Sequence, residues 1–410
     1  MRVDLKDPDL FERNAFWPVM AWLRENDPVH WHDEVDGPGF WAVTRHRDVV
    51  TVFGDDDLFS SRFGMRLDSR PEAVEAVSQQ MLIVTDPPEH TRLRQVVGRG
   101  FGRSAMPRIE RVVLRVVHDV VAEAVRAEKV DLVDIAAQIP NQVVCELMGI
   151  PLEHADWLGR VTTEAFDAAE EDDRVGAYSE IFLLFTELLM ERREQPGDDF
   201  ISQIATAQRA TEEKGVVRPL TDEEVVFNCI GVLAGANETT RYSMAGAVLE
   251  LAQDPALWEW LRAAGDAALD PAVEEVLRWT CPGVHGMRTA TRDTELGGAK
   301  IKAGDRVTVW NVSANRDESV FEEPDRFRLD RTQNRHVTFG SGRHFCIGAR
   351  VARLELRAFL AELVAGVERI ELTGEPRYNS SNFTWGLRTL PVHLVPTRVP
   401  VSARQSEGVS

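Results

Sequence analysis

The chain has 410 residues, of which 43% are hydrophobic and 28% charged, and this composition predicts a globular protein with a large core. Its formal net charge of −20 argues against nucleic acid as the main partner. No segment approaches the ~18 consecutive apolar residues of a membrane helix. The charged N-terminal segment lacks the apolar run of a signal peptide, so we expect a soluble, cytoplasmic protein with no membrane partner.

The first 80 residues predict mixed structure, with a β-hairpin around the turn VDGPG at residues 35–39. From about residue 90 to residue 280, apolar residues recur at spacings of three and four, which predicts mostly helices. Residues 211–224 predict a polar connection into one long helix. Strands return after Arg288, and residues 349–367 predict a strong helix before a C-terminal region of short strands.

Many helices without alternating βαβ units predict an α+β fold that is mainly α-helical, with small β-sheets at its edges. We expect a single domain over residues 1–400. The last ten residues have little apolar character, so a disordered tail is expected over residues 401–410.

The long helix has a distinct beginning and an unusual middle. Thr221 and Glu224 form a predicted capping box. Gly235 falls in mid-helix, where glycine costs ~1 kcal/mol relative to alanine. Small residues there suit either a close helix contact or a local opening, in which the hydroxyl of Thr239 bonds a carbonyl one turn back. The residues alone leave both readings open.

Three of the four cysteines, Cys145, Cys229 and Cys281, are expected to be buried and structural. No two cysteines form a C-x-x-C pair, so neither a disulfide framework nor a zinc site is expected. The fourth, Cys346, stands in the glycine-rich segment FGSGRHFCIGAR.

A helix is predicted directly after Gly348, and its free N–H groups are expected to lower the pKa of the Cys346 thiol. Gly340, Gly342 and Gly348 allow unusual backbone dihedrals around the cysteine. A thiolate held in this way suits either a nucleophile or a metal ligand, and His344 alone does not decide between them.

This segment resembles the heme-binding loop of the cytochrome P450 family at every fixed position of that motif. The matching residues are Phe339, Gly340, Gly342, His344, Cys346 and Gly348. The resemblance covers roughly residues 10–398 and implies heme b with the Cys346 thiolate as axial ligand of the iron. It also implies that the heme lies between the long central helix and the helix after the cysteine.

Three further segments of the family are present. The first is Glu275-Val276-Leu277-Arg278, which by itself is a weak signal because an i, i+3 pair is often an ordinary surface pair. In the family this pair is buried and joins an arginine of a later loop, and we assign that arginine to Arg326.

The second segment is DPPEHTRLR, in which His90 and Arg94 resemble a pair that binds a heme propionate. Arg288 and His344 match further propionate contacts. Two carboxylates enter a protein interior at a large cost in free energy unless they are paired and hydrogen-bonded. Other heme contacts are assigned by resemblance to Ala234, Gly235, Phe339, Gly340 and Gly348.

The third segment is the middle of the long helix, where the family has an oxygen-binding groove. Glu238 and Thr239 match the acid–alcohol pair that delivers protons. The usual second glycine of the family is Ala236 here, and Asn237 occupies a variable position.

By family position, the substrate pocket draws on residues that are mostly apolar or aromatic, which suggests a neutral, partly aromatic or polycyclic molecule. Each of them suits an ordinary core position equally well. They are Met81, Leu82, Val84, Leu233, Asn237, Val284, His285, Met287, Phe383 and Trp385.

The resemblance implies a monooxygenase that inserts one oxygen atom from O₂ into a small natural-product intermediate, most simply as a hydroxylase. Oxidative C–C or C–N coupling of an aromatic natural product is an alternative that no residue separates from hydroxylation. A heme-thiolate sensor without turnover is disfavoured by Glu238 and Thr239. The substrate is either free or tethered to a carrier protein, as in some biosynthetic members.

Electrons are expected from a ferredoxin and its NAD(P)H-dependent reductase, with the enzyme as a monomer. Residues 92–108 contain five arginines and no acid, and residues 335–357 contain five arginines and one glutamate. In the family both segments flank the thiolate side of the heme, which suits an acidic ferredoxin. Arg99, Arg103 and Arg353 are the predicted docking residues; the alternative is that some of these arginines bind propionates or structural carboxylates.

Overall fold

The structure is a computed structural model that describes residues 3–35, 37–167 and 171–397. Within these residues the α-helices are α1 (Pro8–Glu12), α2 (Trp17–Asn26), α3 (His46–Gly54), α4 (Pro71–Val77), α5 (Glu89–Val97), α6 (Met106–Ala127), α7 (Leu132–Met148), α8 (Ala155–Asp167), α9 (Glu171–Glu194), α10 (Phe200–Ala205), α11 (Asp222–Gln253), α12 (Pro255–Ala264), α13 (Leu269–Thr280), α14 (Asn311–Ala314) and α15 (Ala349–Gly366). The strands are β1 (Val29–His32), β2 (Phe40–Val43), β3 (Phe59–Ser60), β4 (Lys129–Asp131), β5 (Gln208–Ala210), β6 (Val217–Pro219), β7 (His285–Ala290), β8 (Thr294–Leu296), β9 (Ala299–Ile301), β10 (Arg306–Trp310), β11 (Val367–Leu372), β12 (Arg377–Tyr378), β13 (Leu387–Thr389) and β14 (Pro391–Pro396).

The largest sheet has five strands in the order β1-β2-β10-β7-β3. Strands β1 and β2 pair antiparallel, which confirms the predicted hairpin. Strand β10 runs parallel to β2 and antiparallel to β7. A three-stranded sheet, β11-β14-β4, joins the C-terminal strands to the segment between α6 and α7. The predicted polar connection carries a small hairpin, because β5 and β6 pair antiparallel on either side of it.

Helix α11 is the central element of the molecule. The predicted capping box is present, with the Thr221 side chain accepting from the Glu224 N–H and the Glu224 carboxylate accepting from the Thr221 N–H. Its first half, including Phe227 and Leu233, packs in a core with α7, α8 and α9. Its second half, including Met244, packs in another core with α6, α13 and α15. The small residues at its middle therefore lie between two cores.

Helices dominate this arrangement and the sheets lie at its edges, which confirms the predicted fold class. None of the helices in the described ranges is long and apolar enough to cross a membrane. The single domain predicted over residues 1–400 stays a prediction, and the tail predicted over residues 401–410 lies outside the described residues.

Candidate active site

Glycines shape the loop that carries Cys346 into α15. Gly340 and Gly342 have φ of +70° and +69°, a region that L side chains rarely adopt. A Cβ at Gly342 would also lie 2.4 Å from the carbonyl oxygen of Phe53, so only glycine fits there. Gly348 has φ of −87° and a Cβ there would meet only ordinary contacts, so backbone geometry does not require glycine at that position.

The Cys346 side chain has accessible surface, yet the surrounding protein desolvates the sulfur and raises the pKa of the thiol. The N–H groups of Gly348 and Ala349 and the charge of Arg94 oppose this shift, but burial outweighs them. The predicted effect of the free N–H groups is therefore present, and a bound metal cation would add to it by stabilising the thiolate.

Behind the loop, Glu275 and Arg278 form an ion pair with no accessible surface. Two hydrogen bonds of 2.8 Å join the guanidinium to the carboxylate. The later arginine is Arg331, whose Nε donates to Glu275 Oε2 at 3.0 Å. Burying this charge cluster is tolerable because each group has charged and polar partners.

The prediction that Arg326 supplies this arginine is wrong. Its side chain is 69% exposed and pairs with Glu323, and only its backbone carbonyl joins the cluster, accepting from Arg278 at 3.1 Å. The backbone N–H of Arg328 already bonds Glu275 Oε1 at 2.8 Å. In this later loop, contacts with the Glu275 carboxylate are therefore made by residues that follow Arg326. The backbone N–H of Arg328 is the first, and the side chain of Arg331 is the second.

Hydrogen bonds connect this cluster to the start of the cysteine loop. The Thr338 hydroxyl donates to the carbonyl of Leu277 at 2.7 Å. Asn315 donates to the Thr338 hydroxyl at 2.9 Å and accepts from the Val337 N–H at 2.8 Å. The Cys346 N–H then donates to the Phe339 carbonyl at 2.9 Å. Helix α13 thus holds the loop in place through its backbone.

The four predicted propionate ligands converge near the loop. His90 and Arg94 lie on α5, Arg288 lies on β7, and the rings of His90 and His344 are 4.1 Å apart. Both ring nitrogens of His90 and the Nε of Arg288 are buried and lack a hydrogen-bond partner among the described residues. Buried donors without acceptors are costly, and heme propionates would supply those acceptors. The donor set fits heme.

The charge in this cluster comes from its arginines. Burial and the nearby Arg94 lower the pKa of His90 to about 4, and burial and Arg288 lower the pKa of His344 to about 2, so both rings are neutral at pH 7. Burial lowers the pKa of Arg288 only to about 10, which leaves it charged. Arg94 also donates to the Phe345 carbonyl at 2.5 Å and so ties α5 to the cysteine loop.

The middle of α11 presents a face of small residues. Gly235 is exposed within the structure and nothing lies within 4 Å of a Cβ placed there. The Thr239 hydroxyl donates to the Gly235 carbonyl at 2.7 Å, which is the local bond that the sequence predicted. Ala234 is partly buried beside them. The structure therefore leaves open space beside Gly235 on this face.

Glu238 is 3% exposed and turns toward α8. Its carboxylate accepts from the Thr163 hydroxyl at 2.6 Å and from Arg241, with which it forms an ion pair. These two contacts fix the orientation of the carboxylate. Sequence reasoning missed Thr163, because no pattern connects residues 75 positions apart.

Two predicted pocket residues on α11 face the wrong way. Gly235 and Thr239 are four residues apart and share one face, whereas Leu233 and Asn237 are each two residues from Gly235 and lie on the other side. Leu233 packs in the core shared with α8 and α9. Asn237 is 2% exposed, and both atoms of its amide are buried. These two assignments to the pocket are wrong.

Three other predicted pocket residues pack in the N-terminal core. His285 and Met287 alternate with Arg288 along β7, so they lie on the opposite face of the sheet, beside Trp310. The Trp385 indole donates to the Phe11 carbonyl at 3.0 Å, within the same core. The pocket assignments that stay predictions are Met81, Leu82, Val84, Val284 and Phe383, of which Val284 is buried in the same core.

The structure adds an anchor for the predicted pocket. Buried Asn228 on α11 donates to the Gln80 carbonyl at 2.9 Å and accepts from the Leu82 N–H at 3.0 Å. Next to it, Met81 lies against Gly231, where a Cβ would be 2.7 Å from the methionine methyl group. A buried asparagine in a helix is the only sequence signal for this contact, and it does not reveal the partner.

Known proteins match the chain along nearly its whole length. The family model described as Cytochrome P450 matches residues 171–377. Cytochrome P450 NovI of Streptomyces niveus is 36% identical over 399 residues, which is 96% of each chain. Linalool 8-monooxygenase of Pseudomonas putida is 36% identical over 415 residues, 96% of this chain and 99% of that protein. The crystal structure of P450 OxyD, which is involved in the biosynthesis of vancomycin-type antibiotics, superposes with a TM-score of 0.84 at 35% identity, covering 97% of this chain and 100% of that chain.

Proposed function

The chain belongs to the cytochrome P450 family, and on that premise we propose that it hydroxylates a small, largely apolar or aromatic natural-product intermediate with electrons from a ferredoxin. It is a heme-thiolate monooxygenase, as its relatives are. When bound, heme b activates O₂ so that one oxygen atom enters the substrate. The single observation that carries the proposal is the cluster of buried donors beside the loop of the accessible Cys346, in which both ring nitrogens of His90 and Nε of Arg288 have no partner among the described residues.

The residues of this chain bind the cofactor and govern protons. The Cys346 thiolate would hold the iron of a bound heme, and Arg94, Arg288, His90 and His344 would hold its propionates. Thr163 and Arg241 hold the carboxylate of Glu238 in a fixed orientation. We propose that Glu238 takes up protons on the side of α11 that faces α8 and that the Thr239 hydroxyl passes them to the small-residue face.

The apolar character of the remaining pocket residues supports an apolar substrate. Met81, Leu82, Val84 and Phe383 surround the small-residue face in this proposal, and none of them carries a charge. The relatives carry names of an antibiotic-associated enzyme, a linalool monooxygenase and a steroid monooxygenase. Their variety supports the class of substrate and leaves its identity to experiment.

The test is a titration of the oxidised enzyme with a library of natural-product intermediates, free and tethered to a carrier protein, in which the Soret band reports the low- to high-spin shift. Compounds that bind are then turned over with ferredoxin, its reductase, NADPH and ¹⁸O₂. A product with one ¹⁸O atom supports hydroxylation. A product that has lost two hydrogens and gained no oxygen assigns oxidative coupling instead, and ligand binding without any product assigns a sensor.

The proposed ferredoxin surface uses the arginines that remain unpaired. Arg99, Arg103 and Arg350 are exposed and form no ion pair with any residue in the described ranges. Arg353, which the sequence placed with them, instead binds Glu274 at 2.6 Å. Its charge is therefore largely balanced, and replacing it would disturb structure as well as docking.

We expect the triple variant Arg99→Glu, Arg103→Glu and Arg350→Glu to slow reduction by ferredoxin about tenfold at low salt, because it reverses the surface charge. Substrate affinity, measured by the spin shift, should not change. Arg369→Glu is the control, since Arg369 is exposed on β11, outside both basic segments. Equal reduction rates for the triple variant and the control would contradict this docking surface.

A further inference from the structure

Asp56, in the loop between α3 and β3, lies beside the propionate cluster and has no role in the site described so far. Its side chain is 7% exposed. One oxygen, Oδ2, lies 3.2 Å from Nε of Arg343 in the cysteine loop. The other, Oδ1, is buried and has no hydrogen-bond partner among the described residues.

Both signs of charge surround Asp56. Arg288 from β7 and Arg343 from the cysteine loop attract it, while Asp86, before α5, and the adjacent Asp57 repel it. Arg288 has an unpartnered buried Nε, so the two groups leave a donor and an acceptor open in the same cluster. They do not satisfy one another in the described structure.

A bound propionate satisfies the open donor of Arg288 but not the open oxygen of Asp56. A propionate and an ionised aspartate are both acceptors, so they repel each other unless one of them carries a proton. An unpaired buried carboxylate oxygen costs free energy. One proton shared between the two groups removes both problems.

We propose that Asp56 is a further heme-binding residue, which in its protonated form donates from Oδ1 to a heme propionate while Oδ2 accepts from Arg343. The carboxyl group then bridges the propionate and the cysteine loop, and Arg343 is a structural partner of the heme pocket. This inference rests on heme binding and is independent of the proposed substrate and ferredoxin.

The proposal predicts how heme retention depends on pH. Burial already raises the pKa of Asp56, and a propionate beside it raises that pKa further. Heme binding therefore favours the protonated acid. Its stabilising effect is present below the pKa of Asp56 in the holoenzyme and is lost as the pH rises through that pKa, where two carboxylates begin to repel.

The test measures heme transfer from the holoenzyme to apomyoglobin from about pH 5 to about pH 9. For the wild type, heme release should accelerate about tenfold across the titration of Asp56. Asp56→Asn, which keeps a neutral donor, should release heme slowly at every pH. Asp56→Ala should release heme fast at every pH, and Glu375→Gln, at an exposed position between β11 and β12, should follow the wild type.

Two outcomes overturn the proposal. In the first, Asp56→Ala releases heme at the wild-type rate at every pH. In the second, Asp56→Asn releases heme as fast as Asp56→Ala, which shows that the charge of Asp56 on Arg343 is what matters.

An infrared spectrum of the holoenzyme provides a readout that does not depend on heme transfer. It should contain a protonated-carboxyl stretch that is absent from both Asp56→Asn and Asp56→Ala. Other buried acids give bands in the same region, so the band must be lost in both variants. A spectrum without such a loss contradicts a protonated Asp56.

Discussion

The cysteine side and the substrate side of the site are held in place in different ways. Behind the cysteine, the carboxylate of Glu275 accepts hydrogen bonds from Arg278 and Arg331, and all three groups are buried. On the substrate side, Phe63 is 50% exposed and Ile83 is 39% exposed, and α4 buries none of its residues. Buried ion pairs hold the first region, whereas the second is partly exposed and is joined to α11 by the hydrogen bonds of Asn228.

This difference explains why the sequence identifies residues of the cysteine side but not those of the substrate side. The positions of a buried ion pair and of a glycine with positive φ each tolerate very few residue types. Such positions therefore form a motif that can be found in the sequence. Apolar packing accepts many side chains of similar volume. The substrate side is therefore free to vary with the substrate, and its residues carry little information about position.

The largest expected effect comes from replacing Cys346, the residue that would bind the heme iron. Cys346→His replaces a thiolate with a neutral imidazole, which donates less electron density to the iron. We expect turnover to fall below detection and the reduced carbon-monoxide complex to lose its thiolate-type band. Cys281→Ser is the control, since Cys281 is a buried cysteine at the end of α13. If Cys346→His kept the thiolate-type spectrum, the assignment of the ligand would be wrong.

On the substrate side, Thr239→Val tests proton delivery without changing side-chain volume. Loss of the hydroxyl should lower the product formed per NADPH about tenfold and raise hydrogen peroxide correspondingly, with heme content unchanged. Thr186→Val is a matched control, because the Thr186 hydroxyl makes the same bond to the carbonyl one turn back, at 2.8 Å, on α9. Equal coupling of product to NADPH in both variants would remove Thr239 from the proposed relay.

On the cysteine side, Arg331→Met and Arg326→Met form a matched pair. Arg331 is 5% exposed on a carboxylate with no accessible surface, so its removal should lower the free energy of unfolding by about 3 kcal/mol and reduce heme content. Arg326 is 69% exposed on its partner Glu323, and its removal should cost less than about 0.5 kcal/mol. Thermal unfolding of the holoenzymes measures both. A larger loss for Arg326→Met would reverse the assignment made from the structure.

The same pair of arginines shows what the sequence could and could not predict. The family resemblance, together with the i, i+3 spacing of Glu275 and Arg278, predicts their buried ion pair, which the spacing alone does not. The segment after them offers several arginines, and the turn that decides which one reaches the carboxylate depends on backbone hydrogen bonds that no local pattern encodes. The order of residues near Arg326 therefore led to the wrong choice.

Errors on the substrate side have a different cause. Leu233 and Asn237 lie near Gly235 in sequence, but helix periodicity of 3.6 residues per turn places them on the far side. Side chains alternate between the two faces of a strand, so His285 and Met287 lie on the face of β7 opposite to Arg288. Proximity in sequence to a motif residue is thus a poor guide to which residues line the pocket. The face that a residue occupies is a better guide, once the segment is known to be a helix or a strand.

The smallest expected effect concerns a group between the two sides. Glu355, on α15, is 4% exposed and bonds Thr240, the neighbour of Thr239 on α11. Burial raises the pKa of Glu355 to about 8 from a model-peptide value of 4.5, although the Thr240 hydroxyl opposes the shift. At pH 7 the folded protein therefore keeps this proton, whereas the unfolded chain has lost it.

The sign of the pH dependence follows from this difference. Because the unfolded state binds fewer protons between these two pKa values, Glu355 lowers the free energy of unfolding as the pH rises, by at most about 1.4 kcal/mol per pH unit. Glu355→Gln keeps an acceptor for Thr240 and does not titrate, so its thermal unfolding should depend less on pH in that window. Glu375→Gln, at an exposed position between β11 and β12, should keep the wild-type slope. If Glu355→Gln also kept that slope, Glu355 would be ionised in the folded protein, and the contact between α11 and α15 would hold a buried charge.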